Sequence, residues 1–112
     1  MQSTPLTELA DRLLAEAQGH TSGRRASTLF DQPRPHQLRQ TVLALTAGHS
    51  LGEHNSPGEA TLQVIRGRVE LSTPTETWTG TAGDLLLIGP DRHDLRAIED
   101  SAVLLTVVNG AS

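Results

Sequence analysis

Two stretches of the chain decide its fold. The first is Gly48-His49-Ser50-Leu51-Gly52-Glu53-His54-Asn55-Ser56-Pro57-Gly58-Glu59-Ala60-Thr61-Leu62-Gln63-Val64-Ile65-Arg66-Gly67, and the second is Gly83-Asp84-Leu85-Leu86-Leu87-Ile88-Gly89-Pro90-Asp91-Arg92-His93. Each stretch places one histidine, His54 or His93, at a fixed distance behind a glycine and beside an apolar run with the composition of a strand. Glycine and proline mark the ends of both runs, which is typical of strands joined by tight turns.

The chain from residue 26 onward consists of short apolar segments separated by turn residues. We predict strands at residues 26–30, 38–47, 61–66, 68–72, 75–78, 84–88, 94–98 and 103–108. Many short, evenly spaced strands indicate an antiparallel sandwich or barrel. The apolar alternation changes parity across Gly67, so we expect a tight turn or a bulge at that residue.

A single helix is predicted before the strands. Apolar residues recur at three- and four-residue spacing between residues 5 and 18, which places them on one stripe of a helix. Thr4 is the predicted N-cap, Pro5 suits the first helical position, and Gly19 ends the helix. We therefore divide the chain into a helix and linker at residues 1–22 and a β domain at residues 23–112.

Two predicted strands are apolar on both faces, whereas the wall of a single-domain barrel should alternate. They are residues 85–88 and residues 103–108. Something must cover their outer faces, and the helix and a second subunit are the two candidates. On this basis we predict a homodimer.

Composition excludes several function classes. The 112 residues contain no cysteine, which excludes disulfides and thiolate metal sites. The net charge is -4 and aromatic residues make up 2%, so we expect no nucleic-acid partner. The polar beginning and the absence of an apolar run of about 18 residues predict a cytoplasmic protein without a membrane partner.

Residues 48–97 resemble the two signature motifs of the cupin superfamily. The resemblance implies an all-β fold, the cupin double-stranded β-helix or jelly-roll barrel, here with a short N-terminal α-helix. In that family the motifs supply three histidines and a glutamate that point inward and hold a divalent metal. Carried over, His54 occupies the first ligand position and His93 the last, while Ser56 and Ala60 stand where the second histidine and the glutamate would be.

The incomplete ligand set leaves two interpretations of His54 and His93. In one, the two imidazoles hold a divalent metal such as Zn, Ni or Fe, completed by water, by a substrate or by an oxygen donor such as Gln63 or Glu59. In the other, they line a metal-free pocket together with Ser56, Ala60 and Gln63. Asp91 and Asp94 flank His93 and are candidates to orient its ring.

The sequence therefore predicts a protein that holds a small-molecule ligand, a loosely bound metal, or both, in the barrel. Two enzymatic alternatives stay open, and the resemblance supplies both. One is a metal-dependent enzyme of dioxygenase or isomerase type, in which the metal binds the substrate. The other is an epimerase-like enzyme without metal, in which one histidine, oriented by a carboxylate such as Asp94, acts as general base.

Overall fold

One helix and eight strands make up the computed structural model, which describes residues 1–30, 37–55 and 58–108. In chain order they are α1 (Leu6–Gln18), β1 (Arg24–Leu29), β2 (Leu38–Leu45), β3 (Glu59–Arg66), β4 (Arg68–Ser72), β5 (Thr77–Thr81), β6 (Leu85–Ile88), β7 (Asp94–Ala97) and β8 (Ser101–Val108). The predicted all-β class with one N-terminal helix is confirmed.

The strands form two antiparallel sheets. The five-stranded sheet has the order β1-β2-β8-β3-β6, and the three-stranded sheet has the order β5-β4-β7. Alternate residues of each strand point between the sheets and form the main core. The largest fully buried side chains of this core include Leu45, Leu62, Val64 and Val69.

Gly67 carries the chain from one sheet to the other. It lies between β3 and β4, and its φ of +82° belongs to the left-handed region that glycine tolerates best. A Cβ atom added there would lie 2.3 Å from the carbonyl oxygen of Asp100. The change of parity predicted at this residue is therefore a crossing between sheets, and the close approach of two backbones permits only glycine.

The turn before β5 differs from the prediction. Strand β5 spans Thr77–Thr81, whereas the sequence predicted residues 75–78. The reason is a turn in which the backbone N–H of Thr73 donates to the carbonyl of Glu76 at 2.8 Å. The Thr73 hydroxyl also accepts a hydrogen bond from the Glu76 N–H at 3.1 Å, so extended pairing begins only after Glu76.

The helix begins one residue later than predicted. Pro5, with an extended backbone, occupies the cap position, and no side chain caps the helix, so the prediction of Thr4 as the N-cap is wrong. The Pro5 carbonyl accepts the first helical hydrogen bond, from Leu9 N–H at 3.0 Å. Gly19 ends the helix as predicted. Among the described residues, no helix is long and apolar enough to cross a membrane.

The helix packs on the outer face of the five-stranded sheet. Leu9, Leu13 and Ala17 form a second buried cluster with Val42, Ala44 and Leu104. This packing explains why β8 is apolar on both faces. It does not extend to the outer face of β6, where Leu85 is 66% exposed and Leu87 is 74% exposed.

Asp100 fastens the end of the helix to the sheets. Its carboxylate accepts hydrogen bonds from the Ala47 backbone N–H at 2.8 Å and from the Gln18 amide at 2.9 Å. These two bonds, that of Ala47 first, hold the pKa of the Asp100 carboxyl below its ordinary value of 3.8. Asp100 thus joins the helix to the segment that leads into the first histidine motif.

We predict that Gly67→Ala lowers the free energy of unfolding by about 2 kcal/mol or more, because it adds a Cβ in the left-handed region against backbone atoms. Gly89→Ala is the matched control, since a Cβ at Gly89 meets no atom within 4 Å. It should change stability by less than about 0.5 kcal/mol. Urea denaturation measures both variants, and equal stabilities would contradict the assignment of the sheet crossing.

Candidate functional site

Residues 48–55 run antiparallel to β7 and extend the three-stranded sheet. The backbone N–H of Gly48 donates to Ala97 at 2.8 Å, and that of Leu51 donates to Leu95 at 3.0 Å. Gly48 and Gly52 both have a φ of +85°, which lets the segment bend while it follows the strand. The segment ends against the residue that precedes β7, which is His93.

His54 and His93 form a hydrogen-bonded backbone pair. The N–H of each donates to the carbonyl of the other at 3.0 Å. Directly opposite residues of an antiparallel pair project their side chains from the same face. The two imidazole rings accordingly meet edge to face, with centroids 4.4 Å apart and planes at 72°. The structure thus brings the two predicted site histidines together.

Backbone carbonyls fix the tautomer of both rings. Nδ1 of His54 lies 3.0 Å from the carbonyl oxygen of Gly52, and Nδ1 of His93 lies 3.1 Å from that of Asp91. A carbonyl oxygen only accepts hydrogen bonds, so each neutral ring carries its proton on Nδ1 and donates it. Each Nε2 is then an unprotonated acceptor, the form in which an imidazole binds a metal or a hydrogen-bond donor.

The two rings border a cavity of about 230 Å³ between the sheets, which we call the intersheet cavity. His93 is only 4% exposed, whereas His54 is exposed at the open side. The rest of the lining is aliphatic apart from Asn55: Leu43, Leu51, Ala60, Leu62, Leu71, Ile88, Leu95, Val103, Leu105 and Val107. Among these described residues there is no carboxylate.

The other predicted pocket residues have different places. Ala60 lines the intersheet cavity and is 3% exposed. Gln63 does not line the intersheet cavity, which corrects that prediction. Gln63 directly follows the inward-facing Leu62 on β3, so its side chain is on the outer face, where it is exposed. Glu59, the other suggested oxygen donor, is exposed at the start of β3. Ser56 lies outside the described residues.

Asp94 does not orient the ring of His93. The two residues are neighbours on the chain at the start of β7, so their side chains lie on opposite faces, and no hydrogen bond joins them. Oδ1 of Asp94 is buried without a hydrogen-bond partner among the described residues. The backbone carbonyl of Asp91 fulfils the orienting role. Sequence reasoning sought a carboxylate there and so missed the carbonyl two residues before the histidine.

His49 has a structural role. Its ring covers Gly23, where an added Cβ would lie 2.5 Å from Nδ1 of the imidazole. That nitrogen is 2.9 Å from the hydroxyl of Thr46. The ring is thus held at the junction of β1 and β2, and it does not line the intersheet cavity.

A second, lateral pocket of about 200 Å³ lies between the turn before β5 and the end of β6. It shares Leu71, Ile88 and His93 with the intersheet cavity, so these three side chains separate the two spaces. Trp78 and Glu76 also line it. Sequence reasoning did not foresee this pocket, because β5 and β6 are neighbours along the chain but belong to different sheets.

Comparisons with known proteins agree with this architecture. A conserved protein of unknown function from Streptococcus pyogenes is 25% identical, with a TM-score of 0.74, over 99% of this chain and 90% of that one. An RmlC-like cupin from Desulfovibrio desulfuricans is 22% identical, with a TM-score of 0.75, over 97% of each chain. A cupin superfamily protein from Desulfitobacterium hafniense is 14% identical, with a TM-score of 0.78, over 98% of this chain and 94% of that one.

An enzyme also shares the architecture. Salicylate 1,2-dioxygenase from Pseudaminobacter salicylatoxidans is 21% identical, with a TM-score of 0.75, over 90% of this chain. The chain spans 33% of that enzyme. No family model and no curated protein matches the sequence. From the paired histidine motifs, the two sheets and these structural neighbours, we conclude that this chain has the fold of a small single-domain cupin.

Proposed function

We propose that this protein binds a small molecule in the intersheet cavity of a jelly-roll barrel. The observation that carries the proposal is that Nδ1 of each ring lies within hydrogen-bond distance of a backbone carbonyl. Each Nδ1 therefore donates, and each Nε2 is left as a free acceptor. Two acceptors at the edge of an otherwise aliphatic cavity suit a ligand with an apolar body and a hydrogen-bond donor. A few polar groups in a largely apolar lining are typical of ligand sites.

The size of the cavity limits the ligand. Its volume of about 230 Å³ is below the lower limit of about 300 Å³ typical of sites for drug-sized molecules. The aliphatic walls favour burial of a hydrocarbon body by about 25 cal/mol per Å² of apolar surface. A compact ligand the size of a single ring fits these dimensions.

A divalent metal is the second candidate occupant. The two Nε2 atoms fit half of a four-coordinate ligand set, and Ala60 offers only a methyl group where the family's glutamate would be. No group of three or more metal-binding side chains exists within the described ranges. His54 and His93 would therefore hold Zn, Ni or Fe weakly. A bound metal would supply a Lewis acid that polarises a ligand oxygen, the basis of the dioxygenase or isomerase alternative.

The epimerase-like alternative has less support from the geometry. That reaction needs a histidine base oriented by a carboxylate. Both ring Nδ1 atoms donate to backbone carbonyls, and Asp94 lies on the other face of β7. His54 and His93 can accept a proton at Nε2, but the lining of the intersheet cavity contains no side chain that could serve as a paired acid.

The structure leaves one of the two apolar strands, β6, to support the predicted homodimer. The helix covers β8, whereas the outer face of β6 exposes two large apolar side chains, Leu85 and Leu87, in the part of the chain that the structure describes. We propose that a second copy of the chain covers this face, because β6 also ends the five-stranded sheet and, among the described strands, pairs only with β3 in that sheet. Sedimentation at micromolar concentration should show a dimer, and a monomer would exclude it.

Phenol and anisole test the small-molecule proposal, since they share a ring and only phenol has a donor. We expect phenol to bind about fivefold more tightly, the ratio that corresponds to about 1 kcal/mol for one hydrogen bond. The double variant His54→Leu/His93→Leu should abolish this preference. His20→Leu, which alters an exposed histidine at the end of the helix, should retain it. Calorimetric titration of the three proteins with each probe measures these affinities, and equal binding of the two probes by the wild type would refute the proposal.

Nickel binding tests the metal candidate. Restoring the family pattern with Ser56→His/Ala60→Glu should tighten Ni²⁺ binding by about 100-fold or more, because even outer-shell partners change metal affinity by roughly 10–100-fold. The matched control is Ser56→His/Gln63→Glu, which places the same carboxylate on the outer face of β3. It should bind no more tightly than Ser56→His alone. If wild-type protein binds Ni²⁺ as tightly as the restored variant, the missing ligands are supplied from elsewhere.

A further inference from the structure

Arg39 is a charged residue with no part in the site described above. It lies on β2 and is half-buried, and its Nε atom is buried without a hydrogen-bond partner among the described residues. Burying an unpaired donor costs about 1–3 kcal/mol, more if the group is charged. Such a cost is seldom tolerated in a native fold unless the group has a partner in another state of the protein.

The sheet register places Arg39 beside the intersheet cavity. Arg39 is directly opposite Val107 on β8, Val107 is opposite Ala60 on β3, and Ala60 is opposite Ile88 on β6. Residues opposite one another in a sheet share a face, so all four belong to one inward-facing row. Val107, Ala60 and Ile88 line the intersheet cavity. Arg39 is the next residue in the row, about 4.8 Å further along the sheet.

This row contains a positive residue, whereas the cupin pattern would place a negative one in it. Ala60 stands where the family's glutamate would be, so the carboxylate that would hold a cation is missing. The same row contains an arginine, and no Asp or Glu is among the described residues that line the intersheet cavity. Arg39 does not itself line the intersheet cavity, but it is next to Val107, which does. A cation at this end of the row and no anion in the lining favour an anionic ligand whose charged group lies at that end.

We propose that the ligand of the intersheet cavity is a small apolar carboxylate, whose charged group pairs with Arg39. The planar guanidinium matches a carboxylate through two parallel hydrogen bonds, which would give the buried Nε its partner. The proposal rests on the proposed function, since it names the class of ligand for the same cavity. Arg39 and His93 belong to different sheets, so the carboxylate would pair with Arg39 while a hydrogen-bond donor elsewhere on the ligand would pair with Nε2 of His93.

Benzoate and benzamide are the probes, because they have nearly the same shape and differ in charge. Since only benzamide has a hydrogen-bond donor for the Nε2 atoms, a preference for benzoate would come from its charge. Wild-type protein should bind benzoate at least tenfold more tightly than benzamide. Arg39→Gln should abolish that ratio by weakening benzoate alone. The matched control is Arg96→Gln, which removes an exposed arginine of β7 and should leave the ratio unchanged. Equal binding of the two probes by the wild type, or an unchanged ratio in Arg39→Gln, would overturn the proposal.

Ala60→Phe separates the failure of this proposal from that of the proposed function. It fills the intersheet cavity and should abolish binding of both probes. If benzamide binds as well as benzoate and Ala60→Phe blocks both, the cavity binds small molecules and only the carboxylate class is wrong. If neither probe binds to the wild type and phenol also fails to bind, the proposed function and this inference are both wrong.

The variant Arg39→Met distinguishes a role of Arg39 in ligand binding from a role in stabilising the fold. Methionine retains the apolar stem and removes the unpaired buried nitrogen, so the melting temperature of the ligand-free protein should rise by about 4 °C. Benzoate binding should be weakened at least tenfold in the same variant. A lower melting temperature would show that Arg39 stabilises the fold and would overturn its assignment to ligand binding.

Discussion

The two hydrogen bonds exchanged by the backbones of His54 and His93 are the interaction on which the site depends. They attach residues 48–55 to the start of β7 and hold the two rings on one face. The close approach of the rings follows from this pairing and needs no contact between the side chains themselves. A slip of one residue in the register would move one imidazole to the opposite face and separate the pair.

The rest of the fold keeps this pairing in place. Gly67 lets the chain pass from β3 in one sheet to β4 in the other. Strand β4 pairs with β7, which directly follows His93. On the other side, Asp100 binds Ala47 immediately before the first motif. The helix buries the outer face of the five-stranded sheet, so the inner face is free to line the intersheet cavity. The outer face of this sheet thus packs against the helix, and its inner face contributes both to the main core and to the lining of the intersheet cavity.

The strand pattern and the two histidines could be predicted because both depend on local rules. Alternation, turn residues and the parity change at Gly67 define where the chain extends and where it crosses. The outward position of Gln63 also follows from parity, although the prediction of it as a donor did not apply that rule. The position of Arg39 next to the row that lines the intersheet cavity could not be predicted. It depends on which residue of β8 lies opposite β2, and register between distant strands is set by tertiary packing. The carbonyl of Asp91 was missed because every residue has a backbone carbonyl, so residue type does not show which one accepts a hydrogen bond.

The central claim is that both imidazoles at the intersheet cavity have their Nδ1 protonated and their Nε2 free as an acceptor. Long-range ¹H–¹⁵N NMR correlation spectra of the histidine rings, recorded where the rings are neutral, measure the tautomer directly. The account predicts the Nδ1-protonated form for His54 and His93, with the exposed His20 as an internal reference. Protonation of either ring at Nε2 would contradict it, because the hydrogen bonds from Nδ1 to the carbonyls of Gly52 and Asp91 could not then exist.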